Sequence, residues 1–473
     1  MTDHIIRLQC DAQNYPWGKE GSDSIITDFG PEASGRDWKF DENTPYAELW
    51  MTTHPNLPSK LYNNPSKLLS KHLDEHPELL GAVPGKFPKP VEGKNDKHVP
   101  FVFKILTCKQ ALPLQIHPDK KLAAELHARD PKKFADANHK PEIAVALTPF
   151  LGFAGFAPFD RIESNLRSVP ELAQFLGGLG SYTEYLDDPT SADKLKALVK
   201  DILAMNQKSS GLVESAKDTI KAVTGLAEPE KERGGGDAQG VVRSLIERIE
   251  RDGPGAVFAG TMWNQEQRQR IEKALKKTQE FYAGDPGIIV ACFFMNLIEL
   301  TPGEAMYVQE DGLHAWLDGQ IIELMANSDD VLNAAFLEPG EKDDLNIFVD
   351  AMRCDPRPAE TYKIKRQRWT MSEGAGAEVY QVPAEEFSLY HVAGESTSTT
   401  IKPLNGPTIA ILTSVPSSGT ATIVDKTAGS TIDVKKGQVY FIAAGTTVEF
   451  GAGVEAWAAF YDDQAREQTG DMK

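Results

Sequence analysis

The stretch "VPFVFKILTCKQALPLQIHP", Val99 to Pro118, decides how this chain is read. "VPFVFKILTC" is a strongly apolar run and reads as a strand. "ALPLQIHP" reads as a second strand, stopped by Pro118. Residues two apart on a strand share a face, so Gln115 and His117 can project to one side. A short helix follows in "DKKLAAELHARD", with Asp119 as its cap and Leu122 and Leu126 on one face. Further on, Lys140-Pro141-Glu142 offers a carboxylate after a turn that Pro141 stiffens. His314, after a tight Gly turn, adds an imidazole. Two imidazoles, one carboxylate and one amide oxygen suit a divalent ion such as Zn2+. The same residues also read as a strand end and an ordinary polar loop, and spacing alone leaves both readings open. His4, His72, His76, His98 and His127 sit in polar or helical surroundings and read as surface.

Residues 1 to about 150 mix short β runs with turns, as in "YAELWMTTHPNLPSKL". From about 158 to 282 the period becomes helical. "DRIESNLRSVPELAQFLGGLG", "SADKLKALVKDILAMNQ", "SGLVESAKDTIKAVTGLA", "QGVVRSLIERIERDG" and "NQEQRQRIEKALKKTQEFYAG" predict five or six helices. The loop "EPEKERGGGDAQG" interrupts them and is no phosphate loop, because no strand precedes it and no Gly-Lys-Ser/Thr follows. From 287 onward, starting with "GIIVACFFMNLIEL", the pattern returns to strands. A short helix in "LNIFVDAM" leads to an all-β region over 375–465. "LTPGEAMYVQEDGLHA" (300–315) and "VKKGQVYFIAAGTTVE" (434–449) share a Gly turn, a strand with a central Tyr and a second Gly turn, a weak repeat that reads either as two related β units or as the ordinary likeness of any two strand–turn–strand segments.

The chain has 473 residues, about three domain-sized units. Its formal net charge of −19 disfavours nucleic acid and anionic membranes as partners. Cys10, Cys108, Cys292 and Cys354 form no CxxC pair, and Cys108 and Cys292 read as core. The N-terminal stretch has no signal-peptide pattern, and "GIIVACFFMNLIEL" is too short to span a bilayer. A soluble, cytoplasmic protein is the expectation.

The segments "NYPWGKEGSDS", "YAELWMTTHPNLPS", "LQIHPDKKLA", "NHKPEIAVALTPFLGFAGF" and "MNLIELTPGEAMYV…HAWLDGQIIELMANSDDV" occur in this order over residues 1 to about 335. Together they resemble type I phosphomannose isomerase, a zinc-dependent mannose-6-phosphate isomerase. The resemblance implies zinc on Gln115, His117, Glu142 and His314. It places Lys104 in the pocket as a proton carrier, where a nearby metal or cation is expected to lower its pKa. Lys140 and His139 would face the phosphate or a ring oxygen. Glu323 and Asp329 would line the pocket, with Asp329 assisting ring opening. Trp17 and Trp50 read as packing, His54 as a turn residue, and Lys120 and Lys121 as a solvated helix face.

Three positions depart from the family pattern. Pro113 stands where the family has a serine two residues before the zinc glutamine. Asn333 stands where the family has an arginine, nineteen residues after His314. Asn supplies neither the charge nor the fork of a guanidinium, and Lys342 is the nearby cation that offers a partial replacement. Trp316 replaces a tyrosine.

The resemblance implies a mainly β protein with a helical insertion: two cupin-type jelly-roll barrels plus an α-helical domain. The expected units are a catalytic barrel from 1–155 and 284–345, a helical insertion over 156–283, and a cupin-like β domain over 346–473, assigned a packing role. The implied activity is interconversion of mannose 6-phosphate and fructose 6-phosphate through an enediol, feeding GDP-mannose synthesis, by a monomer whose partner is a small sugar phosphate. The alternatives are a metal-binding paralogue with little turnover, an isomerase of another sugar, and a cupin metal oxygenase.

Overall fold

The computed structural model describes residues 3–87, 98–205, 238–380 and 382–463. The largest sheet has eleven strands, and its central part is antiparallel throughout. Side by side lie Ala305–Val308, Glu142–Ala146, His314–Ala326, Phe101–Cys108 and Glu48–Met51. Its backbone is the thirteen-residue strand His314–Ala326. The C-terminal half of that strand pairs with Phe101–Cys108, placing Glu323 opposite Lys104. Its first residue, His314, pairs with Gln115 of the Leu114–Ile116 strand. That strand in turn pairs with Leu332–Ala335, which puts Asn333 opposite Gln115.

Alternation along these strands separates two kinds of face. Leu49, Met51, Phe103, Ile105, Ile143, Val145, Ile322 and Leu324 point into one large apolar core. Burial of a side chain such as Phe103 stabilises the fold by roughly 1.5–3 kcal/mol. The alternate positions of the same strands hold Glu48, Trp50, Lys104, Glu142 and Glu323, all buried. Both faces of Phe101–Cys108 are therefore covered, which is why all eight of its residues are buried.

The large core is shared with a nine-stranded sheet from the C-terminal region, through Tyr380, Leu389, Ile409, Phe441 and Trp457. The opposite side of that sheet packs on a five-stranded sheet, with Tyr390, Tyr440, Ile423 and Phe450 between them. The N-terminal strand Ile5–Gln9 joins the nine-stranded sheet, Ile5 opposite Ile442. Strands Lys60–Leu61 and Asn64–Leu68 extend it further. No local pattern foretold this closure across the chain.

The helices Gly180–Asp187 and Pro254–Val257 form between the stretches read as helical, while Phe159–Ser168, Pro170–Leu176, Ala192–Ala204, Ala238–Asp252 and Gln265–Phe281 follow the helical period of the sequence. Asn264 and Gln267 form a reciprocal capping box at the start of the last one. The helix expected in "SGLVESAKDTIKAVTGLA" lies outside the described residues, as does the Gly-rich loop up to residue 237. The run Gly287–Phe294, expected to be a strand, is a helix. All eight of its residues are buried among the other helices. A segment apolar on every side has no period to distinguish helix from strand, so its surroundings decide. The two copies of the weak repeat land in different sheets, as strands Ala305–Val308 and Val439–Ile442. Both follow a glycine with positive φ, Gly303 at 83° and Gly437 at 88°, a conformation that a side chain would strain. Among the described residues no helix is long and apolar enough to cross a membrane.

Candidate active site

His117 follows the Leu114–Ile116 strand, Glu142 opens its strand and His314 opens the longest one. The three side chains converge. His117 Nε2 lies 3.3 Å from Glu142 Oε1, and His314 Nε2 lies 3.5 Å from Glu142 Oε2. The imidazole centroids are 5.0 Å apart. His117 Nδ1 donates to the Asp330 carbonyl at 3.0 Å, and His314 Nδ1 to the Gly312 carbonyl at 2.9 Å. Each carbonyl selects the tautomer that leaves Nε2 with a lone pair. Both Nε2 atoms are buried without a hydrogen-bond partner. Two ligands about 2.0–2.1 Å from a tetrahedral ion stand about 3.3 Å from each other, so the spacing suits a zinc ion shared by the three. Gln115 occupies the strand position directly across from His314.

The protonation states agree with that use. Burial, then Lys140, hold the His117 imidazole down to about 4. Burial opposes ionisation of Glu142, but His117 and Lys140 outweigh it and keep the carboxyl well below the usual range. Lys140 Nζ stands 3.4 Å from Glu142 Oε1.

Next along the same sheet face sits Lys104, its side chain 6% exposed. Its Nζ lies 2.7 Å from Glu323 Oε2 and 3.1 Å from Glu48 Oε1. The remaining oxygens accept from indoles: Trp316 Nε1 donates to Glu323 Oε1 at 2.8 Å and Trp50 Nε1 to Glu48 Oε2 at 2.9 Å. Burial favours the neutral amine, but Glu323, Glu48 and Glu142 outweigh it and raise the Lys104 pKa above its ordinary value. The chain's own groups therefore act opposite to the expected downward shift: the carboxylates of Glu323, Glu48 and Glu142 together favour the protonated amine.

Asp329 faces a pair that sequence reasoning missed. Its Oδ2 accepts from Asn56 Nδ2 at 2.8 Å and lies 3.7 Å from the buried His54 Nε2. His54 does serve its turn, Nδ1 accepting the Asn56 N–H at 3.4 Å. Burial lowers its pKa against the pull of Asp329. Glu48 was missed as well, although a lone carboxylate in "YAELWM" was the available signal. Behind Asp329, burial and the carboxylates Asp136 and Asp329 push Asp330 up to about 8.

Other expected residues are engaged elsewhere. His139 is wedged between two carboxylates: Nδ1 contacts Glu310 Oε1 closely and Nε2 meets Glu386 Oε1 at 2.8 Å. A ring so occupied has no free edge for a phosphate. Lys342 pairs with Asp285 Oδ2 at 3.0 Å rather than replacing the missing guanidinium. Asn333 donates its backbone N–H to Asp343 Oδ2 at 2.6 Å, while its side-chain Oδ1 is buried without a partner. Trp50 and Trp316 do more than fill space, since each indole holds a glutamate. Lys120 reaches Glu386 at 3.5 Å. His98, expected at the surface, is buried.

Residues 5–159 match the family model described as phosphomannose isomerase type I, catalytic domain. The mannose-6-phosphate isomerase of Candida albicans is 35% identical over 465 residues, covering 95% of this chain and 96% of that one. The mannose-6-phosphate isomerase of Cryptococcus neoformans is 32% identical over 471 residues, covering 98% and 100%. The crystal structure of mannose 6-phosphate isomerase from Salmonella typhimurium, bound to substrate and a zinc atom, superposes with a TM-score of 0.70. It shares 23% identity and covers 97% of this chain and 100% of its own, a likeness of fold.

Proposed function

This chain belongs to the type I phosphomannose isomerase family, and we propose that it is a zinc-dependent enzyme interconverting mannose 6-phosphate and fructose 6-phosphate. The observation that carries this reading is the convergence of two buried, unpartnered imidazole nitrogens on the Glu142 carboxylate. His117, Glu142 and His314, with Gln115 across the strand, would hold the zinc. Bound there, zinc supplies a Lewis acid beside the sugar oxygens.

The chain's own residues divide the remaining work. Asp329, flanked by Asn56 and His54, moves the proton between the ring oxygen and the C1 hydroxyl during ring opening. Isomerisation then needs one carrier that takes the C2 proton and returns it to C1 on the same face, while the O2 hydroxyl proton passes to O1. Because Lys104 stands protonated, that role passes to the Lys104–Glu323 pair, in which the carboxylate accepts the proton and the ammonium balances its charge. Lys140 offers a cation to the phosphate or to the enediolate oxygen. The unpartnered Asn333 Oδ1 accepts from a sugar hydroxyl. His139 acts behind Lys140.

The architecture we propose is two cupin-type barrels. Residues 1–155 and 284–345 form the catalytic one, 156–283 the helical insertion and 346–473 the second. The helices from Phe159 to Phe281 support this division, whereas the helix Gly287–Phe294 falls in the barrel segment, and the strands Ile5–Gln9, Lys60–Leu61 and Asn64–Leu68 cross from the first unit into the nine-stranded sheet. Free cysteines, three of them buried, suit a reducing cytoplasm, where a monomer acting on sugar phosphate would feed GDP-mannose synthesis. The test is a coupled assay with both hexose phosphates on chelated and zinc-reconstituted protein. Turnover restored by zinc is expected; fully zinc-loaded protein inert on both sugars would sink the reading.

A further inference from the structure

Glu386 belongs to the C-terminal region, two residues before the strand Ser388–Ala393, yet its carboxylate is fully buried beside the metal-ligand segments. Its Oε1 accepts from His139 Nε2 at 2.8 Å and faces Lys120 Nζ at 3.5 Å. His139 completes the chain through its close contact with Glu310. Each partner stands next to a metal ligand in sequence. Lys120 follows His117 by three residues, His139 precedes Glu142 by three, and Glu310 precedes His314 by four. Two of these segments are also tied directly, since the Asp311 N–H donates to the His117 carbonyl at 2.7 Å and the Asp119 N–H to Asp311 Oδ1 at 3.1 Å. The 139–142 segment joins them through the carboxylates on His139.

We propose that Glu386 is a positioning residue for the metal centre, supplied by the second β unit, which holds the segments of His117, Glu142 and His314 in one register through Lys120 and His139. This rests on the zinc reading above. A buried carboxylate is costly unless its charge is matched. Here it is matched by the Lys120 ammonium and by an imidazole that Glu310 and Glu386, against the opposing effect of burial, keep charged. Outer groups of this kind set the orientation of metal ligands and typically govern affinity by ten- to a hundredfold. The C-terminal unit is then part of the active-site machinery, beyond a packing role.

The test uses full-length, zinc-loaded Glu386→Ala, Glu386→Gln and Glu310→Gln proteins. Zinc release to a chromogenic chelator is followed alongside kcat, KM and the melting temperatures of the zinc-loaded and metal-free forms. Zinc release from Glu386→Ala is expected to be roughly tenfold faster or more, with kcat lowered more than KM raised. Glu386→Gln, which still accepts from His139, should recover part of the loss. Glu310→Gln alters a partly exposed residue, so it reports on the network even if Glu386→Ala does not fold, and faster release is expected from it too. Wild-type zinc release and kcat in folded Glu386→Ala, or in Glu310→Gln where the former is unfolded, would overturn the proposal. Equal melting losses with and without zinc would count against it as well, since they mark a purely structural residue. Wild-type protein that holds no zinc or turns over neither sugar would instead remove the functional reading beneath it.

Discussion

The Lys104 ammonium and the Glu323 carboxylate stand 2.7 Å apart on adjacent strands, directly opposite each other and shut away from solvent. Removing one partner of a buried pair leaves an uncompensated charge, which typically costs about 3–5 kcal/mol. Glu48, on the next strand, shares the same ammonium. Lys104→Met is therefore expected to lose stability of about that size in denaturant melts, as well as activity. A loss below about 1 kcal/mol, the scale of a surface pair, would show that the cluster is not organised around this cation.

Zinc binding depends on His314, whose Nδ1 is fixed by the Gly312 carbonyl and whose Nε2 is otherwise unpartnered. Metal analysis of wild-type protein should give one zinc per chain, and His314→Ala should give far less. Because the ion binds only the folded form, its removal from wild type should lower the melting temperature. His314→Ala should show no such difference, and a full zinc complement in this variant would contradict the ligand set.

Asn333 is tied to Asp343 through its backbone alone, so truncating the side chain leaves that bond in place. Asn333→Ala should fold normally. Losing one hydrogen bond to a substrate hydroxyl costs about 1–1.5 kcal/mol, hence roughly tenfold in kcat/KM for the hexose phosphates. An unchanged kcat/KM would remove Asn333 from the substrate site.

His139 predicts a pH dependence of stability. Its folded pKa is raised because Glu310 and Glu386 outweigh burial. The native state then binds more protons than the unfolded chain between the ordinary value, about 6.5, and the raised one. Stability from this group is fully present below the ordinary value and is lost as pH rises through the raised value. Melting temperatures of the metal-free protein, measured upward from pH 6, should fall more steeply for wild type than for His139→Gln. Parallel curves would show that the ring is not charged in the fold.

The local structure around the candidate site was legible because local rules act on near neighbours. Asp119 caps its helix as read, accepting the Leu122 N–H at 2.7 Å, and the Phe101–Cys108 strand lies where its apolar run ends. The ligand candidates Gln115, His117, Glu142 and His314 stood out through motif order rather than spacing, since no local signal brings His314 to Glu142.

What tertiary structure alone decided involves long separations and sums over many charges. Ile5 reaches Ile442, and Glu386 reaches His139, by closures that no window of sequence contains. Gly287–Phe294 became a helix because helices surround it. The charge of Lys104 went against expectation for a similar reason. A lysine's own neighbours in sequence do not determine its protonation, whereas three carboxylates delivered by three different strands do.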